Sequence, residues 1–490
     1  MKKPQVVFNG VDGVTGNYLA EPMSLDELAQ VIKGEPINRD LIIQMKRTVA
    51  NSAVPSFGLP FGIDPSDIKQ AGWAIIFHTE ESDDVRKALQ PLIDHRKNQI
   101  GDATRTKILD YRRGEQWLEW LKRHGTTPGD VNPTIVPYYV LIVGNPTRIP
   151  FEFNYLFDID YAVGRLSFDT ADEYLRYAKS VVAYETNEQV PNDKTAVIFG
   201  TEHNGFPPDH ATELSTKHLV KPLAGLPSRE NGTTPLSVLD QKTVGFAKRV
   251  FTGDQATKAN LSQVFRSPAN TKPPAIVFTA THGIELPQDD PHQLATQGAL
   301  LCQDWPRPKK MSSECFYAAA DLPDDARVHG MITFHFACYG AGTPRQDNFP
   351  KKAGQPRKKL ADKPFVAMLP KRLLTHPKGG ALAVIGHVER AWGLSITGMD
   401  RNQQHVQPFS NTLGYLGTGM PVGYALKDFR DRAASLSMAV SQLLEQVRFG
   451  EQVSDADLAL AWLGRNDARN YIILGDPAVH LRVEDMTKES

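Results

Sequence analysis

The chain has 490 residues, 41% of them hydrophobic and 23% charged, with a formal net charge of −1. That length allows two or three domains at roughly 150 residues each, and so balanced a charge provides no global field to recruit nucleic acid or an anionic membrane. The longest strongly apolar stretches, 138–143 and 381–385, are strand-length, far short of the roughly 20 residues that a membrane span needs.

At the amino end, Lys2 and Lys3 are followed by the short apolar patch Val6-Val7-Phe8. A secretory signal requires an apolar core of about 7–15 residues, so the expectation is a cytoplasmic protein. Three cysteines, Cys302, Cys315 and Cys338, are too few and odd in number for a disulfide framework. No Cys-x-x-Cys or His-Glu-x-x-His occurs, and neither a metal nor a cofactor is expected.

Residues 1–130 read as a separate, α-rich region, a candidate prodomain or partner-binding module. Residues 8–16 are rich in turn formers. Ser24, followed three residues later by Glu27, has the spacing of a capping box before an apolar-periodic helix. Residues 84–98 and 103–123 read as amphipathic helices. The Gly, Pro and Asn of 124–133 mark a linker.

Beyond the linker, short continuous apolar runs alternate with helical stretches. The runs are 137–143, 195–199, 275–280, 331–336 and 381–385, with helices expected at 169–186, 210–219, 242–250, 364–376 and 421–448. Unbroken rather than alternating apolar runs mean strands buried on both faces. The fold class is therefore α/β, a mostly parallel sheet sandwiched by helices. The division expected is a first α/β subdomain over 135–265 and a second, catalytic one over 266–490.

Reactive groups in such a sheet collect beyond the carboxyl ends of the strands. The run 275–280 leads into Thr281-His282-Gly283, and 331–336 leads into Ala337-Cys338-Tyr339-Gly340. A thiolate is a strong nucleophile, and an imidazole beside it can raise the thiolate fraction or protonate a leaving amine. Small neighbours let a peptide approach, and the amides of Gly283 and Cys338 are candidates for an oxyanion hole. Taken singly, the cysteine reads equally as a small buried hydrophobe and the histidine as a loop residue; the paired placement at strand ends is what points to catalysis.

Strand-His-Gly followed by strand-Ala-Cys resembles the cysteine-peptidase clan of caspases, gingipains, separases and CHAT-domain proteases. Histidine and cysteine lie 56 residues apart here, against about 50 in caspases. Phe336-Ala-Cys-Tyr-Gly departs from the caspase Gln-Ala-Cys-x-Gly, which sets aside aspartate specificity. The flanks are similar to the gingipain branch: Tyr138 to Gly144, Asp160 to Leu166 followed by Glu173 and Tyr184-Glu185, Gly379 to Gly386, and Asn470 to Ala478. The resemblance spans about 135–483.

It implies a Cys338–His282 dyad, an oxyanion hole from the Gly283 and Cys338 amides, and a protein or peptide substrate with a basic residue at P1. Asp158 or Asp160 would supply the pocket acid; the other reading of each is a turn or strand-start carboxylate. Glu285 is a further acidic candidate, or a solvated loop residue. Trp392 either walls the pocket or packs. The basic loop 345–363 reads as a solvated loop or as an activation linker cut after Lys or Arg. Two other readings stay open: a catalytically silent scaffold or sensor, and a serine hydrolase, which lacks its usual Gly-x-Ser-x-Gly elbow here.

Overall fold

A computed structural model describes residues 58–487 apart from 205–208, 228–234, 269, 307–310, 350–355 and 397–404, together with short pieces between 5 and 33. Ten of its strands form one sheet: β1 (Trp73–His78), β2 (Thr106–Tyr111), β3 (Tyr139–Val143), β4 (Ala162–Leu166), β5 (Asp193–Gly200), β6 (Ala247–Thr252), β7 (Pro274–Ala280), β8 (Ile332–Phe336), β9 (Ala383–His387) and β10 (Tyr471–Gly475). The spatial order is β2-β1-β3-β4-β10-β9-β8-β7-β5-β6.

Every neighbouring pair is parallel except β9–β10, which is antiparallel. Two parallel blocks therefore meet at that junction and point in opposite directions. The interior strands are buried, as their apolar runs require, except for the first two residues of β5, while the edge strand β6 is half-exposed along its length. One apolar core runs through both blocks, joining Trp73, Tyr139, Phe334, Val384 and Ile473. The mostly parallel α/β architecture is thus as expected, with helices such as Ala171–Thr186 and Lys427–Arg448 flanking the sheet.

Three local expectations need correction. Residues 106–111 form an edge strand, with a helix only over Trp117–Arg123. Residues 247–252 form the other edge strand, not a helix. Edge strands keep polar side chains facing water, which blurs the two-versus-3.6 periodicity. Residues 73–111 are not outside the sheet: β1 and β2 complete its first block. Ser24 lies in a two-residue strand paired with Gln5–Val6, helical residues Asp26 and Ala29 follow it, and Glu27 lies outside the described residues.

Buried ions lock the first block. Arg96, with no exposure, donates to both Glu185 oxygens at 2.6 and 2.8 Å and to Asp476 at 2.8 Å. Asp476 also accepts the Trp73 indole N–H at 2.9 Å. Arg165 spends its guanidinium on the Gly144 and Pro150 carbonyls and on Asn154.

Beside the carboxyl ends of β7–β9 lies a second sheet of five short strands, ordered Phe316–Tyr317, Leu300–Leu301, Gly283–Glu285, Phe8–Asp12, Ala391–Trp392. An antiparallel pair, Gly342–Thr343 with Phe365–Val366, brackets the basic loop at its two ends.

Candidate active site

β7 and β8 are adjacent, parallel and in register, with Ala280 opposite Phe336. His282 and Cys338 each lie two residues past that matched pair, so the two turns leave the sheet side by side. Their contact is close: a Cβ on Gly283 would stand 1.8 Å from the Cys338 carbonyl oxygen, so only glycine fits there. Tyr339 takes a positive φ of 58°, the sharp reversal that returns the chain toward the sheet. Its amide donates to the Glu389 carbonyl at 2.9 Å, and the Ala341 amide donates to His387 at 2.9 Å. The Cys338 turn is thereby pinned to the end of β9.

The next strand over adds a residue that sequence reading missed. β5 pairs with β7 on its other side, Gly200 opposite Ala280. Its following segment ends in Asp209, whose Oδ1 accepts the Ala211 and Thr212 amides at the start of the helix His210–Ser215. The other oxygen, Oδ2, lies 2.8 Å from His282 Nε2, with both side chains fully buried. The signal was present: a helix was expected from 210, and an aspartate just before it is a natural N-cap.

Burial pushes the Cys338 thiol up, with Glu285 and Asp467 adding to the rise and the Ala391 carbonyl and Arg390 opposing it. Cys338 Sγ stands 3.8 Å from the Ala391 carbonyl oxygen, and neither Cys338 nor His282 is exposed. Around them is a buried charged cluster. Glu285 accepts the Tyr339 hydroxyl at 2.8 Å and Lys358 Nζ at 2.9 Å. Arg390 donates to Asp347, and Asn348 donates to Glu389 at 2.8 Å. Burial, and then the Asp347 charge, push Glu389 up to about 7 against the pull of Arg390 and Asn348.

Several of these partners belong to the loop 345–363. Both of its stems close on the site: Gln346 bridges Lys359, and Phe349 packs edge-on against Trp392 at 4.7 Å and tilted against Trp462 at 5.2 Å. Trp392 is itself buried, its amide donating to Asp467 at 3.0 Å. The apex, 350–355, lies outside the described residues.

Asp158 and Asp160 are placed elsewhere. They precede β4, three strand positions from β8 across the sheet. Asp158 accepts the Val163 amide at 3.2 Å; burial pushes it up to about 7, opposed by Arg430 and that amide. Asp160 accepts the Gly129 amide at 2.9 Å. The structure thus brings His282, Gly283, Glu285, Cys338 and Trp392 into one neighbourhood and leaves these two aspartates with local partners. Among the described residues no group of three His, Cys, Asp or Glu side chains is arranged to hold a metal ion, and no helix is long and apolar enough to cross a membrane.

No protein-family model matches the chain, and no curated protein does. Among solved structures, it is similar to the Arg-specific cysteine proteinase gingipain R at 12% identity and a TM-score of 0.42, covering 84% of this chain and 79% of that one. A complex of Porphyromonas gingivalis RgpB pro- and mature domains is similar at 13% identity and a TM-score of 0.45, covering 84% of this chain and 80% of that one. A structure described as a protease gives 10% and 0.39, with 84% and 78% covered. Similarity this distant leaves function to be argued from the chain's own residues.

Proposed function

We propose that this chain is a cysteine endopeptidase in which Cys338 is the nucleophile, His282 the proton carrier and Asp209 the group that orients the ring. The observation that carries this reading is the buried 2.8 Å contact between Asp209 and His282, at the end of a strand in register with the one that leads to Cys338. A lone buried histidine has no need of a charged partner; a histidine that must become imidazolium does. With Nε2–H donating to the carboxylate, Nδ1 is the basic ring atom.

The steps follow from these groups. The Cys338 thiol passes its proton to His282 as Sγ adds to the peptide carbonyl carbon, and the oxyanion is held by the Gly283 and Cys338 amides. The tetrahedral species collapses, the C–N bond breaks, and His282 returns the proton to the leaving amine. Water then hydrolyses the thioester and restores the thiol.

A basic side chain at P1 is the preferred substrate feature. Its support is the charge around Cys338: Glu285, Asp347, Glu389 and Asp467 are buried there, against Arg390 on Asp347 and Lys358 on Glu285, so that with Glu389 held up at about 7 the carboxylates still outnumber the cations. A positive side chain entering such a cluster meets a net attraction that is strong because water is excluded. The loop 345–363 is an activation linker in this reading, since its stems hold Glu285, Glu389, Arg390 and Trp392 while its apex carries lysines.

A fluorogenic panel varied at P1, run on wild type and Cys338→Ala, tests the reading. Turnover of Arg or Lys substrates that is lost in Cys338→Ala supports it; turnover that persists in Cys338→Ala sinks it. If wild type cleaves peptides while its loop and that of Cys338→Ala both stay whole, self-processing there is wrong. Full burial of Cys338 and His282 favours a second reading, a catalytically silent scaffold. Failure of iodoacetamide to label Cys338 under any activating condition would put that reading ahead.

A further inference from the structure

The strand Phe8–Asp12 runs between Gly283–Glu285 and Ala391–Trp392. Its first part pairs antiparallel with the latter, Phe8 opposite Trp392 and Asn9 opposite Ala391. Its second part pairs parallel with the former, Gly10 opposite Gly283, Val11 opposite Ile284 and Asp12 opposite Glu285. The exchange of partners falls between Asn9 and Gly10. Both residues that flank this exchange touch the nucleophile: the Ala391 carbonyl oxygen is 3.8 Å from Cys338 Sγ, and Gly283 packs directly on the Cys338 main chain.

We propose that Phe8–Asp12 is an intramolecular plug seated in the peptide-binding cleft of this site, with its Asn9–Gly10 bond in the reactive position. An extended peptide that adds a strand to an open edge gains its affinity from main-chain hydrogen bonds, and this cleft presents two such edges, one on each side of the thiol. The plug is tethered in cis, so its effective concentration is high without strong contacts. Its anchor is Val11, buried with Ile284, Leu286, Ala299 and Leu301, helped by the Gly13 amide, which donates to the Glu285 carbonyl at 2.7 Å. Residues 5–16 contain no Lys or Arg, so the plug fills the cleft without offering the basic side chain expected of a substrate. It also accounts for the burial of Cys338.

The occupancy stands on geometry; that the occupied cleft is one for substrate rests on the peptidase reading above. Two single variants of the full chain separate them. Val11→Asp places a charge in the anchor's apolar pocket. Gly13→Leu acts independently, since a Cβ there would come within 2.7 Å of Ile284 and Leu286 side-chain atoms. In wild type, hydrogen exchange at the amides of 8–12 is slow and iodoacetamide labels Cys338 slowly. In each variant that keeps the wild-type circular dichroism, those amides exchange fast and labelling rises about tenfold or more. A synthetic peptide of residues 5–16 restores slow labelling. Rapid exchange at 8–12 in wild type, or labelling unchanged in a variant whose strand has been freed, overturns the plug. Labelling that rises with no cleavage on the P1 panel leaves the plug standing and removes the peptidase.

Discussion

The Asp209 carboxylate serves two masters, and its two oxygens allow the roles to be separated. Oδ1 caps a helix through Ala211 and Thr212, and Oδ2 faces His282 at 2.8 Å. Asparagine is about as good an N-cap as aspartate, whereas alanine costs about 1 kcal/mol. Asp209→Asn therefore keeps the cap but replaces a charge-assisted bond to the imidazolium by a neutral one. A hydrogen bond to a charged group contributes about 1.5–3 kcal/mol, so loss of most of it lowers kcat/KM roughly 10- to 150-fold. Asp209→Ala loses the same activity and also lowers the unfolding free energy by about 1 kcal/mol. Chemical denaturation and a P1-Arg fluorogenic substrate read the two effects, best in the Val11→Asp background where the cleft is open. If Asp209→Asn cleaves as fast as its parent, the carboxylate is a helix cap and nothing more, and the three-residue catalytic reading fails.

Gly283→Ala brings a Cβ against the Cys338 carbonyl oxygen, backbone against backbone, so the His282 and Cys338 turns must part; we expect loss of peptidase activity and overpacking destabilisation of about 1–3 kcal/mol, measured by turnover and denaturation together. Arg96→Leu strands two buried carboxylates and is expected to cost about 3–5 kcal/mol, seen as a lowered denaturation midpoint. Burial pushes Glu185 up, but Arg96 and His95 outweigh it and hold the group down from an ordinary 4.5 to about 2. The unfolded chain therefore takes up this proton first. Stability from this pairing is full above pH 4.5 and drains as pH falls toward 2, a slope that Glu185→Gln should flatten in acid titrations. Phe349→Ala removes the ring seated on Trp392 and Trp462; trypsin should then cut at 357–359 faster than in wild type, and an unchanged cutting rate would show that the stem is held by its polar contacts alone.

The dyad candidates were legible because strand ends announce themselves: an unbroken apolar run followed by His-Gly, and another followed by Ala-Cys-Tyr-Gly, are local patterns. The parallel strands and the helix Ala171–Thr186, with its Thr170–Glu173 capping box, were legible for the same reason. Glu285 and Trp392 were named from position alone, and the structure sets both beside Cys338. Asp158 and Asp160 are pocket candidates by resemblance alone, and in the structure Asp158 holds the Val163 amide of its own segment while Asp160 holds the Gly129 amide of the preceding linker. Asp209 is 73 residues from His282 in sequence, and only the pairing of β5 with β7 makes them neighbours.

Composition and periodicity by themselves determined an α/β chain with buried strands and placed a cysteine and a histidine just past strand ends, because those are properties of short windows. What decided the rest was pairing across long sequence separations. The antiparallel β9–β10 junction joined two parallel blocks into one sheet and drew in residues 73–111, which local pattern had set apart. The same kind of pairing laid Phe8–Asp12 between Gly283 and Ala391, about 270 and 380 residues away. A strand's partner is chosen by edge complementarity and burial in the folded chain, and no window of sequence contains that choice.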